Sequence, residues 1–301
     1  MTSQRHPSYH RGERAVQARA GLLDQAAFGL NGIRSTIPEV AAGFLAGQHV
    51  VFLGADDGGG RLWTTMLTGE PGFLQAPDSR TLTVAAAPAE ADPLAEALSR
   101  RVEVGVIAVE PGTRRRMRIN GVARPRDGGL VVEVEQVFAN CPKYIQKREP
   151  TPRADVVPGA GRSASVLSDE QRHRVTTADT FFVTTASDEG KVDTSHRGGN
   201  PGFVHVLSED RLEWPDYTGN AMFLTLGNLE LRPDAGLLFP DWETGTSLHL
   251  TGTAAVDWSA RGAARHRGAQ RVVRFDIAGV VEVPALSPLR WSAPAYSRFN
   301  P

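Results

Sequence analysis

The sequence predicts a mainly β protein with few helices, in which two β-barrel units follow one another along the chain. The pentapeptide Gly-x-Pro-Gly-Phe occurs twice, at 69–73 and at 199–203. The two copies are offset by 199 − 69 = 130 residues, and Gly121 and Gly252, in a later shared block, by 252 − 121 = 131. A constant offset over several blocks indicates tandem homologous domains. The alternative is that two unrelated β-rich domains share Gly and Pro turns.

Each unit shows the same predicted order of elements. A first strand, at 50–53 or at 181–185, precedes an Asp- and Gly-rich turn, a second strand and the Gly-x-Pro-Gly-Phe loop. A helix follows, with Asp92 as its N-cap and Pro93 as its first residue in the first unit, and with its start near Asn220 in the second. Three further strands close each unit, at 105–110, 115–123, 130–138, 236–241, 246–256 and 272–283. About six short strands and one helix per unit are typical of a small closed or split β-barrel.

Three segments fall outside the two predicted barrels. We expect an N-terminal extension with an amphipathic helix over 10–27, a linker rich in Pro and Gly, and a tail that lies over a barrel or a partner. Ser168 and Gln171 have the spacing of a capping box that opens the second unit. The predicted boundaries are 1–37 for the helical extension, 38–147 for the first barrel, 148–165 for the linker, 166–285 for the second barrel and 286–301 for the tail.

The composition is that of an ordinary globular protein and disfavours several function classes. The 301 residues are 41% hydrophobic and 22% charged, which allows a sizeable core and two domains. The net charge of -1 provides no overall basic field for nucleic acid. No apolar run reaches the ~18 residues that a membrane span needs. The N-terminal segment lacks the apolar region of a signal peptide, so we expect a cytoplasmic protein.

Cysteine and histidine usage argues against metal and disulfide chemistry. Cys141 is the only cysteine, which excludes an internal disulfide, a CxxC zinc site and a cysteine-ligated iron–sulfur cluster. His173, His205, His249 and His266 are scattered without H-E-x-x-H spacing, and no G-x-S-x-G or P-loop motif is present. The sequence therefore predicts no metal site and disfavours a hydrolase.

The stretch 192–203 contains the strongest candidate for a binding site. Ser195, His196 and Arg197 supply hydroxyl and cationic donors ahead of Gly198, whose lack of a side chain lets backbone amides approach an anion. We expect a turn in which these four residues hold a phosphate. The alternative is a polar β-turn exposed to water.

Two other segments contain candidate residues. Arg114, Arg116 and Arg118 alternate along a predicted strand and therefore share one face. Such a face suits an anion, but we favour the solvated edge of a hairpin, which charge protects from pairing. For Cys141 we favour a buried structural thiol over a redox thiol, because nothing in the sequence indicates a depressed pKa.

Four strings of the sequence together resemble the pyridoxamine 5′-phosphate oxidase-like flavin-binding split-barrel proteins, and among them the tandem two-barrel subgroup. The strings are 195–203, 219–228, 236–239 and 140–145. The resemblance implies two tandem FMN-binding split β-barrel domains, with FMN held noncovalently at a barrel–barrel interface and usually in a homodimer. The Arg-x-x-Leu-Leu-Lys strand of authentic pyridoxamine phosphate oxidases is not found here, so the resemblance does not extend to vitamin B6 oxidation.

The resemblance also implies roles for residues around the flavin. It puts Asn220, Thr225, Leu226 and Asn228 against the ring, where they supply polar partners and apolar cover. It brings Lys143 close to the flavin, where a cation near N1 and O2 stabilises the reduced ring. The alternative is that Asn220 is an ordinary helix cap and Asn228 a buried helix end. No catalytic residue is indicated.

The expected function is that of an FMN-dependent oxidoreductase, which transfers a hydride or electrons through flavin N5 to an unidentified small substrate. Electrons would come from NAD(P)H or a separate reductase, and neither nucleic acid nor membrane is an expected partner. We expect the second unit to hold the fuller site, because the first has Met-Leu-Thr in the corresponding loop. The alternatives are a haem- or deazaflavin (F420)-binding protein on the same scaffold and a noncatalytic flavin-binding module.

Overall fold

The computed structural model describes residues 8–154 and 156–301, in which short helices surround two antiparallel β-sheets. The first half contains α1 (Arg11–Arg19), α2 (Leu23–Leu30), α3 (Glu39–Ala46), β1 (Val50–Asp56), β2 (Leu62–Thr68), β3 (Leu74–Asp78), β4 (Thr81–Val84), β5 (Val102–Glu110), β6 (Arg115–Arg126), β7 (Gly129–Ala139) and β8 (Pro150–Pro152). The second half contains β9 (Arg162–Ala164), α4 (Asp169–Thr177), β10 (Thr180–Ala186), β11 (Val192–Gly198), β12 (His205–Ser208), β13 (Arg211–Asp216), α5 (Leu224–Leu231), β14 (Asp234–Pro240), β15 (Ser247–Asp257), α6 (Ala260–Ala263), β16 (Arg271–Val283) and β17 (Leu289–Trp291).

The two sheets have the same strand order. In the first sheet the order is β2-β1-β5-β6-β7-β4-β3, and in the second it is β11-β10-β14-β15-β16-β13-β12. The second sheet also pairs β9 with β16. This repetition, with strands far outnumbering helices, confirms the predicted mainly β class built from two sheets of comparable size. The six later strands predicted from sequence are all found, with ends within three residues of those predicted.

Each sheet curls around its own hydrophobic core. All seven strands of the first sheet contribute buried side chains to one cluster, which includes Val51, Trp63 and Val106. In the second sheet the ring of Phe181 lies 5.2 Å from that of Trp214 and 5.1 Å from that of Phe239. Since strands from both ends of a sheet reach the same cluster, the sheets enclose their cores as barrels do.

The two units pack face to face through equivalent residues. Phe52 and Phe182 occupy the same place in β1 and β10, and their rings stack with centroids 3.4 Å apart. Beside them the hydroxyl groups of Thr64 and Thr184 lie 2.7 Å apart. A Cβ on Gly105 would lie 2.4 Å from the backbone nitrogen of Thr194, so only glycine permits this approach. Contact between equivalent positions is the mark of an approximate two-fold relation.

The helices differ from the predictions in extent. The predicted helix over 10–27 is wrong, because Gly21 adopts a φ of +68° and separates α1 from α2. The helix predicted after Asp92 is also wrong, since this segment forms turns and a 3₁₀ helix at Ala97–Ser99. Asp92 nevertheless caps the first turn, because its carboxylate accepts a hydrogen bond from the backbone N–H of Leu94.

The second unit corrects two further predictions. Helix α5 begins at Leu224 rather than near Asn220, because Ala221 and Phe223 adopt positive φ angles of 60° and 58°. The prediction that Ser195–Gly198 forms a turn is wrong, since these residues belong to β11 and the turn follows them. The predicted capping box of Ser168 and Gln171 is confirmed at the start of α4.

The linker and the tail contain short strands that pair with other elements. In the linker, β8 pairs with β17 of the tail, and β9 pairs with β16. The end of the tail reaches the turn after β11, where the amide of Asn200 donates to the carbonyl of Pro301. None of the described helices is long and apolar enough to cross a membrane.

Candidate functional site

A cavity of about 270 Å³ lies between the two units, and both units contribute to its walls. Strand β6 and the segment after β7 form one wall. Strand β11, the end of β13 and the segment that leads into α5 form the other. The polar and charged side chains that line it are Arg116, Arg118, Asn140, Cys141, Lys143, Tyr144, Ser195, His196, Arg197, Asp216, Tyr217, Thr218, Asn220, Thr225, Gln270 and Arg271. A single chain therefore supplies both of these walls.

Cations dominate the cavity, and two of its arginines have no carboxylate partner among the described residues. Arg118 forms a buried ion pair with Asp193, in which Nε and Oδ1 lie 3.0 Å apart. Arg271 Nε lies 3.5 Å from Asp216 Oδ2, which is close enough for ion pairing but lacks hydrogen-bond geometry. Among the described residues, no carboxylate lies within 4 Å of the guanidinium group of Arg116 or Arg197.

Arg116 is half-buried, and its charge has no carboxylate partner among the described residues. One of its terminal nitrogens donates to His196 Nδ1 at 2.8 Å, but its buried Nε has no hydrogen-bond partner. Burial, together with the nearby charges of Arg118 and Arg197, lowers the pKa of Arg116 to about 9. An anion placed beside this guanidinium group would raise its pKa again, because an opposite charge favours the protonated form.

Arg197 is held in place on the neighbouring strand. Its Nη1 donates to the hydroxyl of Ser195 at 2.7 Å and to the carbonyl of His196 at 3.0 Å, while its buried Nε is unpartnered. Burial lowers the pKa of Arg197, and the nearby carboxylate of Asp216 only partly offsets this effect. A second guanidinium is thus positioned with an unsatisfied donor in the cavity wall.

His196 is neutral, and its hydrogen bond fixes the tautomer. Burial, followed by the charges of Arg116 and Arg197, lowers the pKa of His196 well below its ordinary value. Since the guanidinium of Arg116 can only donate, Nδ1 is the acceptor and the proton lies on Nε2. The imidazole therefore orients Arg116 without adding positive charge.

The other polar groups that line the cavity include an acid, a cation and two phenols. Burial raises the pKa of Asp216, against the charges of Arg197 and Arg271. The rings of Tyr144 and Tyr217 lie 5.0 Å apart, and burial raises the pKa of Tyr217 to about 12. Both phenols therefore carry their protons at neutral pH, and Tyr144 donates its own to the carbonyl of Thr218.

Strained backbone is concentrated around the cavity. Of the five described non-glycine residues with positive φ, three line it: Tyr144, Ala221 and Phe223, with φ of 66°, 60° and 58°. Each such conformation costs of order 1–3 kcal/mol and persists only where the surroundings impose it. Such strained conformations are typical of residues that shape a binding site.

The structure brings most of the predicted site residues to this cavity. Those that line it are Lys143, Ser195, His196, Arg197, Gly198, Asn220, Thr225 and Leu226. Asn228 does not line it, because its amide donates to the hydroxyl of Thr185 and its Oδ1 lies 3.0 Å from His10 Nε2. Lys143 Nζ lies 5.7 Å from the ring centroid of Phe299, so the tail borders this side of the cavity.

The basic strand β6 corrects the hairpin-edge interpretation. The solvated edge that we favoured is wrong for Arg116 and Arg118, which face the cavity. Arg114 lies outside strand β6 with a φ of 58°, and its Nε donates to the carbonyl of Ile145.

Several lining residues were not predicted from sequence, among them Asp216, Tyr217 and Arg271. Asp216 and Arg271 are register partners of β13 and β16. Correct pairing of those two strands would have identified both residues.

Comparisons with known proteins give weak matches. No family model and no curated protein matches the chain. Among solved structures, a candidate pyridoxamine 5′-phosphate oxidase from Lactobacillus delbrueckii is 16% identical, with 43% of this chain and 98% of that one covered and a TM-score of 0.33. An FMN-binding protein from Syntrophomonas wolfei is 8% identical, with 38% and 84% covered and a TM-score of 0.31. An FAD-binding protein from Mycobacterium smegmatis is 12% identical, with 40% and 98% covered and a TM-score of 0.30.

Each of these matches extends over less than half of the chain. At such identities and TM-scores, a likeness carries neither a ligand nor an activity over to this protein. Any inference about the ligand therefore rests on the residues that line the cavity.

Proposed function

We propose that the cavity binds FMN and that the protein is a flavin-dependent oxidoreductase acting on a small molecule. The observation that carries this proposal is the pair Arg116 and Arg197, two half-buried guanidinium groups that line one cavity and have no carboxylate within 4 Å among the described residues. Buried charges are normally paired, because an isolated one costs several kcal/mol. The missing partner is best supplied by an anionic ligand.

The polar end of the cavity fits a phosphate. The side chains of Arg116 and Arg197 line this end, and the hydroxyl of Ser195 lies 2.7 Å from Arg197 Nη1. Guanidinium groups match phosphate oxygens in geometry and charge, and such charge-assisted hydrogen bonds are the strongest that proteins form. We assign the FMN phosphate to this end of the cavity.

The remainder of the cavity fits a flat aromatic ring. Apolar side chains of Ile107, Phe203, Leu224 and Leu226 line it, as do the neutral phenols of Tyr144 and Tyr217. A volume of about 270 Å³ is near the lower limit of small-molecule sites, which is ~300 Å³. Apolar walls with a few polar groups are the usual environment of a bound cofactor.

Bound FMN supplies hydride or electron transfer, which no protein side chain provides. The chain's own contribution is to bind, to orient and to set the electrostatic potential. Lys143 and Arg116 place positive charge in the cavity wall, which favours a negatively charged ligand. The phenol of Tyr217 keeps its proton through the neutral range and serves as a hydrogen-bond donor. NAD(P)H or a reductase is the proposed source of electrons.

The test is a titration of the purified protein with FMN, followed by the quenching of flavin fluorescence. We expect saturable binding, and Arg197→Ala should weaken it by about 10- to 100-fold, since it removes a charge-assisted hydrogen bond of ~1.5–3 kcal/mol. Arg211→Ala is the matched control, because this exposed arginine of the same unit pairs with Asp276 away from the cavity.

The alternatives predict other outcomes of the same experiment. Failure to bind FMN would contradict the proposal, and an absorbance spectrum with added haem or deazaflavin would then identify which cofactor is held. Full FMN affinity in Arg197→Ala would remove the phosphate assignment. Binding without reduction by NAD(P)H or reoxidation by any acceptor would leave a noncatalytic flavin module.

A further inference from the structure

We propose that His205, Glu213 and His266 form a binding site for a divalent transition metal ion such as Zn²⁺. The sequence gives no sign of it, because 53 residues separate Glu213 from His266. In the fold, His205 and Glu213 are register partners on β12 and β13, and His266 follows α6. Two imidazoles and one carboxylate are a ligand set that leaves further coordination positions open to water or another ligand.

The distances suit one shared ion. A nitrogen or oxygen atom of each residue lies within 4.8 Å of those of the other two. Glu213 Oε1 lies 3.2 Å from His266 Nε2 and 3.8 Å from His205 Nδ1. Tetrahedral ligands at the usual zinc bond length of ~2.0–2.1 Å are roughly 3.3 Å apart. A small rotation of His205, the most exposed of the three, completes the geometry.

The burial of the ligands indicates a built site with one open side. The side chains of Glu213 and His266 are 1% and 2% exposed, whereas that of His205 is 40% exposed. The two imidazole rings stack with centroids 3.9 Å apart, and a nitrogen of each ring lies within 3.8 Å of Glu213 Oε1. An ion therefore reaches Glu213 from the side of His205.

A neighbouring cation competes for the carboxylate. Arg265 donates to both oxygens of Glu213, with Nη2 2.7 Å from Oε2 and Nε 3.0 Å from Oε1, and Arg274 lies 3.7 Å from Oε2. We assign Oε1 to the ion and Oε2 to the two arginines. The side chain of Arg265 is 40% exposed, so it can withdraw its Nε when the ion binds.

The site adjoins the cavity through a short loop. The carbonyl of His266 accepts a hydrogen bond from the backbone N–H of Ala269, and the next two residues, Gln270 and Arg271, line the cavity. An ion that fixes His266 therefore also fixes the loop from which Arg271 reaches Asp216. The metal site itself is independent of which ligand the cavity holds.

The experiment titrates the full chain, after treatment with a chelator, with Zn²⁺ by calorimetry and with Co²⁺ by visible absorption. We expect one ion per chain and a Co²⁺ spectrum typical of nitrogen and oxygen ligands. His266→Ala and Glu213→Gln should each lower the affinity at least about 10-fold. His173→Ala, which removes an exposed histidine of α4, is the matched control.

Arg265→Ala separates this site from adventitious histidine binding. Removing the competing guanidinium should raise the Zn²⁺ affinity, and this exposed substitution does not depend on the buried core. An unchanged or lower affinity in Arg265→Ala overturns the shared role of Glu213. Absence of saturable binding, or binding that survives both His205→Ala and His266→Ala, overturns the site itself. Circular dichroism of each variant verifies the fold.

Discussion

The cavity and its counterpart in the other half of the molecule occupy equivalent places in the two sheets, yet they hold different chemistry. Strand register relates β6 to β15 and β11 to β2. The cavity residues Arg116, Arg118, Ser195 and His196 are thereby equivalent to Ser247, His249, Thr65 and Met66. We call the second set, together with Asp92, the counterpart site.

Hydrogen bonds hold three residues of the counterpart site, namely Thr65, Asp92 and His249. The hydroxyl of Thr65 donates to the carboxylate of Asp92, which also accepts from the backbone N–H of Leu94. The Nδ1 atom of His249 lies 2.8 Å from the carbonyl of Thr64 and is therefore its donor. Burial lowers the pKa of His249 and raises that of Asp92, so both groups tend toward the uncharged form.

The difference between the cavity and the counterpart site shows how the same strand order can either form a ligand pocket or lack one. In the counterpart site the carboxylate of Asp92 and the Nδ1 atom of His249 have hydrogen-bond partners, whereas the buried Ser247 Oγ and His249 Nε2 have none among the described residues. Leu94 and Leu98, which follow Asp92, belong to the hydrophobic core of the first unit. In the cavity two guanidinium groups are left without carboxylates, and space remains beside them. The same strand order therefore supports a packed core on one side and a ligand pocket on the other.

The largest expected effect concerns the ion pair that joins the units. Arg118→Met should lower the free energy of unfolding by about 3–5 kcal/mol, because it leaves the carboxylate of Asp193 buried and unpaired. The equivalent His249 forms no ion pair with the described residues, and burial lowers its pKa. Denaturant unfolding measures the loss, and the double variant Arg118→Met/Asp193→Asn should recover most of it. Equal losses in both variants would show that packing rather than charge is responsible.

A second substitution makes the cavity resemble its counterpart. Arg116→Ser introduces the residue found at the equivalent position and should weaken FMN binding by about 10- to 100-fold. Arg115→Ser is the matched control, because the side chain of Arg115 is 60% exposed and pairs with Glu110. Fluorescence titration compares the two variants. Equal affinity in both would mean that Arg116 does not contact the ligand.

The pH dependence of stability offers a third comparison. The folded pKa of His196 lies well below its ordinary value of 6.5, so the unfolded chain binds the proton more readily. Stability should therefore fall as the pH drops below 6.5, by up to ~1.4 kcal/mol per pH unit. His196→Met, which introduces the counterpart residue, should lose fewer degrees of melting temperature between pH 7.5 and 5.5 than the unchanged protein. Parallel melting curves would contradict the buried neutral imidazole.

The smallest expected effect concerns a single hydroxyl. Ser195→Ala should weaken FMN binding by about 2- to 10-fold, because a neutral hydrogen bond contributes ~0.5–1.5 kcal/mol. Thr65→Ala, at the equivalent position of the counterpart site, should leave the affinity unchanged. The same titration measures both, and a matching loss in Thr65→Ala would indicate that the counterpart site also binds the ligand.

The sequence predicts the fold better than it predicts the site. Repeated turns and alternating apolar residues are local signals, and they locate the strands of both units. The predicted helix bounds are wrong where single residues determine the backbone conformation. Gly21, with its positive φ, separates α1 from α2, and positive φ angles at Ala221 and Phe223 shift the start of α5 to Leu224. No composition rule anticipates a strained alanine or phenylalanine, because tertiary packing imposes it.

The site residues were partly hidden because the two units bury polar faces against each other. The polar sequence Asp-Thr-Ser-His-Arg of 193–197 is typical of an exposed turn in a single barrel. Here Asp193 meets Arg118 of the other unit, so that strand lies inside the molecule. Alternation correctly put Arg116 and Arg118 on one face, but only the packing of the units decides that this face is buried.

The stacked rings of Phe52 and Phe182 show that the halves meet as two identical subunits would. In a homodimer every substitution occurs in both subunits, so an arginine introduced in one subunit is also present in the other. Within one continuous polypeptide each half mutates separately. An arginine at 116 can therefore coexist with a serine at the equivalent position 247. One half of the chain can keep a ligand pocket while the equivalent region of the other half becomes a packed core.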